Sequence, residues 1–518
     1  MQAGTPGRLR RRHNGRMNRI GPEDAALQWL SIAQKLEAER RIPDSVRAFQ
    51  QAMAIAPGLA VGWYEFGRML RRHGQGDAAE DAFRRALASG LEAPWEAHLE
   101  IALLQSELRQ DPEGARQTLR TALELAPGYV PAWLNLGNLA EDRGDREDAR
   151  HSYRSALSHS AAGSEFEAMS LARLLDAGIG EAEHAQALVR AEAALTNVRL
   201  PRTVRADVGF AMGRWHDREG DPATGFRASL EANRLAGGNS PAYSERAAED
   251  ALMALQAALA ALPTTTTPRQ RDAPEPLFIV GMFRSGSTLL EQMLAAHTAI
   301  GSMGESAFFP AVVARSLQPF PQALSALDAP VVERMRTAYL ETVLRRRDLG
   351  PATYVIDKRP DNLWLLPLIK RVFPSARIIV TRRHPLDNGL SIFQHHLDPR
   401  HAPHSTRLDA IGHHIALHDR LVDRCQARFG DDLAIVRYEA LVADPAGVLR
   451  ELLDWLGLAW QSGCLEFHRT AGPVRTASAW QVREPVHGRA CGRWRRYARE
   501  LEPLRDALLR MSVDPAVD

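Results

Sequence analysis

Trp63 and Trp133 lie 70 residues apart in this 518-residue chain, and the same offset relates Pro57 to Pro127, Gly67 to Gly137, Gly74 to Gly144 and Ala86 to Ala156. Five pairs at one offset mark an internal repeat, which restricts this half of the chain to a stack of like units. Seventy is twice 35, and the intermediate copy is present in worn form. Ala122 falls where Ala86 and Ala156 do, while His98 stands where a tryptophan belongs. Each unit reads as helix, turn, helix. In the third copy Ala132 to Glu141 is the first helix, Arg143-Gly144-Asp145 the turn and Glu147 to Leu157 the second helix. Gly137, Ala149 and Ala156 are small enough for two helices to approach closely, and Pro127 breaks the chain between units.

This pattern resembles the tetratricopeptide repeat, with its W-x-x-L-G first helix and A-x-x-x-F/Y second helix; Gln75-Gly76-Asp77 and Arg143-Gly144-Asp145 match its turns. A first copy over Ala25 to Pro57 gives about four units by residue 160, so repeats are expected over 22–160. Over 161–262 the helical character persists but the period fails. Ala206 to Leu235 reads as one more degenerate pair, with Gly220-Asp221 at its turn. A solenoid of this kind presents an extended face that suits a protein or peptide partner.

The net charge of +2 argues against a dedicated nucleic-acid binder. No apolar run approaches the ~20 residues of a membrane helix. Residues 1–21 carry six arginines, Arg8 to Arg19, with no apolar stretch after them, so a disordered basic tail is expected rather than a secretory signal. Cys425, Cys464 and Cys491 have neither metal nor redox spacing, which points to a reduced, cytoplasmic protein. Lys35, Lys358 and Lys370 are the three lysines of the chain; arginine supplies the other cations.

Proline and threonine over 263–275 read as a linker, and beyond it the grammar changes. Short β-branched runs, Leu277 to Val280, Thr353 to Ile356, Arg377 to Thr381 and Leu433 to Arg437, alternate with helical stretches over 276–518. Apolar strands separated by helices imply a parallel sheet covered on both faces, with ligands at the carboxyl ends of its strands. The fold expected for the whole chain is therefore an α-solenoid followed by a P-loop-like α/β domain.

Two turns carry the chemistry. The first strand runs into Gly281-Met282-Phe283-Arg284-Ser285-Gly286-Ser287-Thr288 and then an apolar-periodic helix. Such a loop wraps backbone N–H groups around an anion at a helix N-terminus. Gly281 and Gly286 have nucleotide-loop spacing, but Ser287 stands where an NTPase needs its lysine, which disfavours a kinase or ATPase. Another strand leads into Arg382-Arg383-His384-Pro385, with Pro385 at a first helical position and Ser391 two turns on. Arg383 and Ser391 bracket that helix start and can grip a second phosphate.

With these motifs in this order, residues 276–500 resemble the sulfotransferase family, and most closely protein-tyrosine sulfotransferases and bacterial proteins that join tetratricopeptide repeats to this domain. FIVGMFRSGSTLLEQML is similar to the family's 5′-phosphosulfate loop. RIIVTRRHPLDNGLS is similar to its 3′-phosphate motif, with the family's Arg-to-Ser spacing of eight. The resemblance implies 3′-phosphoadenosine 5′-phosphosulfate (PAPS) as co-substrate, a hydroxyl acceptor and no metal. It implies that Arg284, Ser285, Gly286, Ser287 and Thr288 hold the 5′-phosphosulfate and Arg383 and Ser391 the 3′-phosphate. Tyr438 would lie near the adenosine, and Ser478 and Arg493 in a late cofactor-contacting segment. Glu305 matches the family's catalytic base, and Lys358 the lysine near the scissile oxygen. Phe283, Ser287, His384 and Arg493 depart from the family's usual proline, threonine, aspartate and lysine.

Sulfuryl transfer builds negative charge on the bridging oxygen, so cations preplaced there, Arg284 and Lys358, favour the transition state. A carboxylate such as Glu305 takes the acceptor's proton, with His297 the alternative base. The expected function is PAPS-dependent transfer to a protein tyrosine. A carbohydrate or small-molecule acceptor, or an inactive repeat scaffold, are the alternatives, and a homodimer is left open. Histidines between His395 and His418 are expected on a solvated helix, although His414 and His418 have metal-pair spacing.

Overall fold

The computed structural model describes residues 21–238, 242–263, 274–344, 349, 352–469 and 480–515. The basic tail up to residue 20 and most of the expected linker lie outside the described residues. The chain divides into two compact units, Met1–Asn135 and Leu136–Asp518.

The first unit contains α1 (Pro22–Ala38), α2 (Ile42–Ile55), α3 (Ala60–Arg72), α4 (Gly76–Ala88), α5 (Pro94–Glu107) and α6 (Pro112–Leu125), paired as antiparallel hairpins α1–α2, α3–α4 and α5–α6. Apolar residues at helical spacing make each hairpin: Phe66, Met69 and Leu70 of α3 pack with Ala79, Ala82 and Phe83 of α4. The Trp63 indole N–H donates to the Pro57 carbonyl at 2.8 Å, and that of Trp133 donates to the Pro127 carbonyl at the same distance. The repeat offset thus reproduces a hydrogen bond, because the aromatic residue ties the start of each first helix to the proline turn before it. Asp111 caps α6 by accepting from the Gly114 N–H at 2.9 Å, a contact of about 1 kcal/mol. The unit boundary at Asn135 falls inside α7 (Val130–Arg143), not at the linker.

The second unit continues with α8 (Arg146–His159), α9 (Glu165–Ala177), α10 (Glu181–Thr196), α11 (Arg202–Arg218), α12 (Pro222–Gly237) and α13 (Glu245–Ala260). The expected degenerate pair is α11–α12, with Asp221 capping α12 through the Thr224 N–H. Then follow β1 (Glu275–Gly281), α14 (Ser287–Ala295), β2 (Ile300–Ser302), α15 (Phe308–Ser316), α16 (Ala329–Leu344), β3 (Tyr354–Lys358), α17 (Leu366–Val372) and β4 (Arg377–Arg382). The last elements are α18 (Pro385–Phe393), α19 (Leu408–Phe429), β5 (Leu433–Arg437), α20 (Tyr438–Ala443), α21 (Pro445–Leu456) and α22 (Glu502–Arg510).

The sheet is parallel in the order β2-β3-β1-β4-β5. The four expected strands are β1, β3, β4 and β5. The sequence reading missed β2, whose three residues are too few for a periodic signal. Leu277 and Ile279 of β1 face Leu290, Met293 and Leu453, while Phe278 and Val280 face the opposite layer. That opposite layer includes Leu252, Leu255 and Leu259 of α13, so a helix on the solenoid side of the expected linker completes the sheet's core. Removing Leu259, which is 2% exposed, would leave a cavity costing about 2–5 kcal/mol.

Among the described residues, no helix is long and apolar enough to cross a membrane. The expected solvated histidine helix is instead α19, whose Ile411, His413, Leu417, His418 and Leu421 are buried because it packs against α13 and α22.

Candidate active site

The carboxyl ends of β1, β3 and β4 converge, and each feeds a turn that carries site residues. After β1 the chain can turn only with glycine at two points. A Cβ on Gly281 would lie 2.5 Å from the Thr381 carbonyl oxygen, because β1 and β4 are neighbours there. Gly286, at φ +99°, leaves no room beside the Tyr438 ring, where a Cβ would sit 2.5 Å from Cδ2. Gly286 also occupies the N-cap of α14, and having no side chain it leaves the helix's first N–H groups uncapped by any side chain, pointing into the turn. Arg284 itself adopts a positive φ of 66°, a strain that recurs at ligand loops.

This backbone aims Arg284 across the sheet edge. Its Nε donates to Ser391 Oγ at 3.2 Å, and its NH2 donates to Gln481 Oε1 at 3.1 Å. Arg383 reaches back: NH1 donates to the Arg284 carbonyl at 3.1 Å, NH2 to the Ala490 carbonyl at 2.6 Å, and Cζ lies 4.7 Å from the Tyr438 ring centre. Its Nε is buried with no partner among the described residues. The two turns therefore lie against each other. Burial, then the neighbouring Arg383 and Arg214, push the Arg284 guanidinium well below its ordinary value. Like charges crowded at a helix N-terminus are an arrangement that a multivalent anion relieves.

Other expected ligands are placed differently. The Ser285 hydroxyl turns inward, donating to the Met282 carbonyl at 2.7 Å and meeting Thr381 Oγ1 at 2.6 Å, so it braces the turn. Ser287 and Thr288 are buried at the start of α14. The Arg493 guanidinium is committed to Asp217 at 2.6 Å and Gln394 at 2.9 Å. Ser478 lies outside the described residues. His297 is spent structurally: Nδ1 accepts from the Ala299 N–H, so Nε2 carries the proton and donates to the Ala459 carbonyl.

Lys358 and Glu305 meet at the end of β3. The Lys358 N–H donates to the Gly304 carbonyl at 3.0 Å, holding the loop after β2 beside the strand. Lys358 is fully buried, and its Nζ lies 2.6 Å from Glu305 Oε1 and 3.7 Å from Glu291 Oε2. The Glu305 side chain is 40% exposed, open enough to meet an incoming hydroxyl. Asp357, next along the strand, points to the other face, where it accepts from the Tyr339 hydroxyl at 3.1 Å; burial raises it to about 7.

Sequence reasoning missed Arg214 and Glu291, and it expected His395 on a solvated helix, whereas His395 is buried beside the site. His395 lies one turn after Ser391 and donates from Nδ1 to the Ser391 carbonyl at 2.7 Å; burial and then Arg284 hold it neutral. Its i, i+4 spacing from Ser391 was the available signal. Arg214 of α11 grips Asp176 with both arms and donates to the Gln394 carbonyl at 3.0 Å, fixing the end of α18. Nothing in its local sequence marks it. Glu291 carries a carboxylate at a helix position that reads as surface. His404 and His414 stack at 3.8 Å between ring centres, but no group of three or more His, Cys, Asp or Glu among the described residues is arranged to hold a metal ion.

Residues 276–462 match the model of the sulfotransferase family. The chain is 29% identical over 332 residues to an uncharacterized protein of Aquifex aeolicus (strain VF5), covering 61% of this chain and 43% of that one. It thus spans less than half the length of that relative. It is 26% identical over 293 residues to protein-tyrosine sulfotransferase 1 of Danio rerio, covering 52% and 81%. Among solved structures it is similar to the sulfotransferase domain of the Synechococcus PCC 7002 olefin synthase, at 20% identity with a TM-score of 0.35 over 48% of this chain and 99% of that one. It is also similar to Pseudomonas aeruginosa PilF, at 16% identity with a TM-score of 0.34 over 42% and 93%. Behind its tetratricopeptide-like repeats, this chain carries a sulfotransferase-family domain over residues 276–462.

Proposed function

We propose that the chain transfers a sulfuryl group from PAPS to a hydroxyl, with a protein tyrosine as the favoured acceptor. The observation that carries this reading is the 3.2 Å contact between Arg284 Nε and Ser391 Oγ. It brings the two turns together, as a ligand with a 5′-phosphosulfate and a 3′-phosphate would require. The α14 N-terminus with Arg284, Ser287 and Thr288 would bind the 5′ group, and Arg383 and Ser391 the 3′-phosphate. The ring of Tyr438 would border the adenosine. PAPS supplies the activated S–O bond.

Glu305 takes the proton of the acceptor hydroxyl, whose oxygen forms the new bond to sulfur. The bond from sulfur to the bridging phosphate oxygen breaks, and its electron pair stays on that oxygen. Arg284 and Lys358 hold the charge that develops there, as preplaced cations do in a site that shields them from water. No redox partner is needed. The helical repeats would recruit the protein that carries the tyrosine, since stacked hairpins offer an extended surface. Support for tyrosine comes from the protein-tyrosine sulfotransferase relatives.

Calorimetry with 3′,5′-ADP (the desulfated product) and with ATP, followed by mass spectrometry of tyrosine peptides incubated with PAPS, tests the proposal. Binding of 3′,5′-ADP and a peptide mass gain of one sulfuryl group are expected. Tight ATP binding without 3′,5′-ADP binding would reverse the assignment.

A further inference from the structure

Lys358 faces two carboxylates from different elements, and only one of them is open to solvent. Glu305 reaches it from the loop after β2; Glu291 reaches it from α14, the helix that begins at the anion-binding turn. The Glu291 side chain is 5% exposed, against 40% for Glu305. Its Oε1 accepts from Ser302 Oγ at 2.6 Å, and Ser302 Oγ in turn accepts from the Gly304 N–H at 3.0 Å. A continuous chain of contacts therefore runs from the loop backbone through Ser302 and Glu291 to Lys358 and back to Glu305.

We propose that Glu291 is a positioning residue for the transfer chemistry: the permanent counter-charge that holds the Lys358 ammonium in place while Glu305 changes its protonation state. The inference rests on the sulfotransfer reading given above. If Glu305 accepts the acceptor's proton, its carboxyl becomes neutral and stops balancing Lys358 at the moment the cation is needed on the leaving oxygen. A lysine with no solvent exposure and no second anion would then tend to shed its proton. Glu291 is too buried to meet an acceptor and too far, at 3.7 Å, to hold the ammonium in a direct hydrogen bond. That combination leaves Lys358 charged yet free to turn between Glu305 and the departing oxygen. Burial raises Glu291 above the usual carboxylate range, and the Lys358 ammonium offsets part of that rise.

With Lys35, Lys358 and Lys370 the three lysines of the chain, the full-length protein grown with [ε-13C]lysine gives three side-chain signals, so Lys358 can be followed directly. In Glu291→Gln the Lys358 signal is displaced from its wild-type position at one fixed pH, because the buried charge nearest it besides Glu305 is gone. Glu291→Asp, which keeps the charge, stays close to wild type. Superimposable wild-type and Glu291→Gln spectra overturn the proposal. A second variant covers the case in which Glu291→Gln does not fold. Ser302→Ala releases Glu291 Oε1 and displaces the Lys358 signal, and an unmoved signal overturns the proposal. With PAPS and a tyrosine peptide, Glu291→Gln lowers kcat about tenfold or more while KM for PAPS stays within about twofold, with Glu291→Asp in between; unchanged kcat refutes the positioning role. A wild-type chain that binds no 3′,5′-ADP removes the sulfotransfer reading, whereas the Lys358 signal in Glu291→Gln still decides whether Glu291 is its counter-charge.

Discussion

Replacing Arg383 with glutamine separates a phosphate ligand from a loop brace. Two of its nitrogens hold the Arg284 and Ala490 carbonyls, while Nε is buried without a partner among the described residues. If the guanidinium also grips a 3′-phosphate, losing that charge-assisted contact costs about 1.5–3 kcal/mol, or roughly 10- to 150-fold in 3′,5′-ADP affinity. 5′-AMP lacks the 3′-phosphate and is expected to bind both proteins alike. Thermal unfolding provides a second scale. The unit Leu136–Asp518, about 380 residues, has an unfolding entropy near 0.8 kcal/mol/K. At 100 times Kd, 3′,5′-ADP stabilises wild type by about 2.7 kcal/mol and raises Tm by about 3 °C. The same ligand concentration raises Tm of Arg383→Gln by only about 0.4–1.8 °C. Calorimetry with both nucleotides is the decisive assay. Equal losses for 3′,5′-ADP and 5′-AMP would refute the reasoning, because Arg383 would then act through the loop carbonyls alone.

Glu305→Gln is expected to lower kcat by about 100- to 10,000-fold with 3′,5′-ADP affinity unchanged, measured with PAPS and a sulfatable peptide; an unaffected mass gain removes Glu305 from its role. Gly286→Ala forces a Cβ against Tyr438 at a positive φ and should cost about 1–3 kcal/mol, seen as a lower Tm and weaker 3′,5′-ADP binding. Asp217→Asn strips the counter-charge from Arg493 and Arg496 and should destabilise by about 2–3 kcal/mol in thermal unfolding; this is below the fully buried-pair value because Arg496 is partly exposed. Asp357 has its folded value raised to about 7, so its contribution to stability is full below pH ~4 and lost as pH rises through about 7. The Tm difference between wild type and Asp357→Asn should therefore change between pH 4 and 7 and stay flat above.

The repeats and the two strand–helix turns were legible in the chain itself, because each depends on short-range constraints. A tryptophan 70 residues from another makes the same hydrogen bond to its own proline turn, and Gly281 and Gly286 are needed where the backbone crowds Thr381 and Tyr438. Local spacing also placed Arg383, Pro385 and Ser391 around one helix start. It could not tell that the Ser285 hydroxyl turns inward, since that depends on Thr381 arriving from the neighbouring strand. Nor could it pair Lys358 with Glu291, or bring Arg214 to the end of α18, because those partners meet only when separate strands and helices pack. The sequence determined which short strand–helix turns carry glycine, arginine and hydroxyl side chains together. Tertiary packing decided which charges are buried together, and so which groups stay ionised and which act as braces.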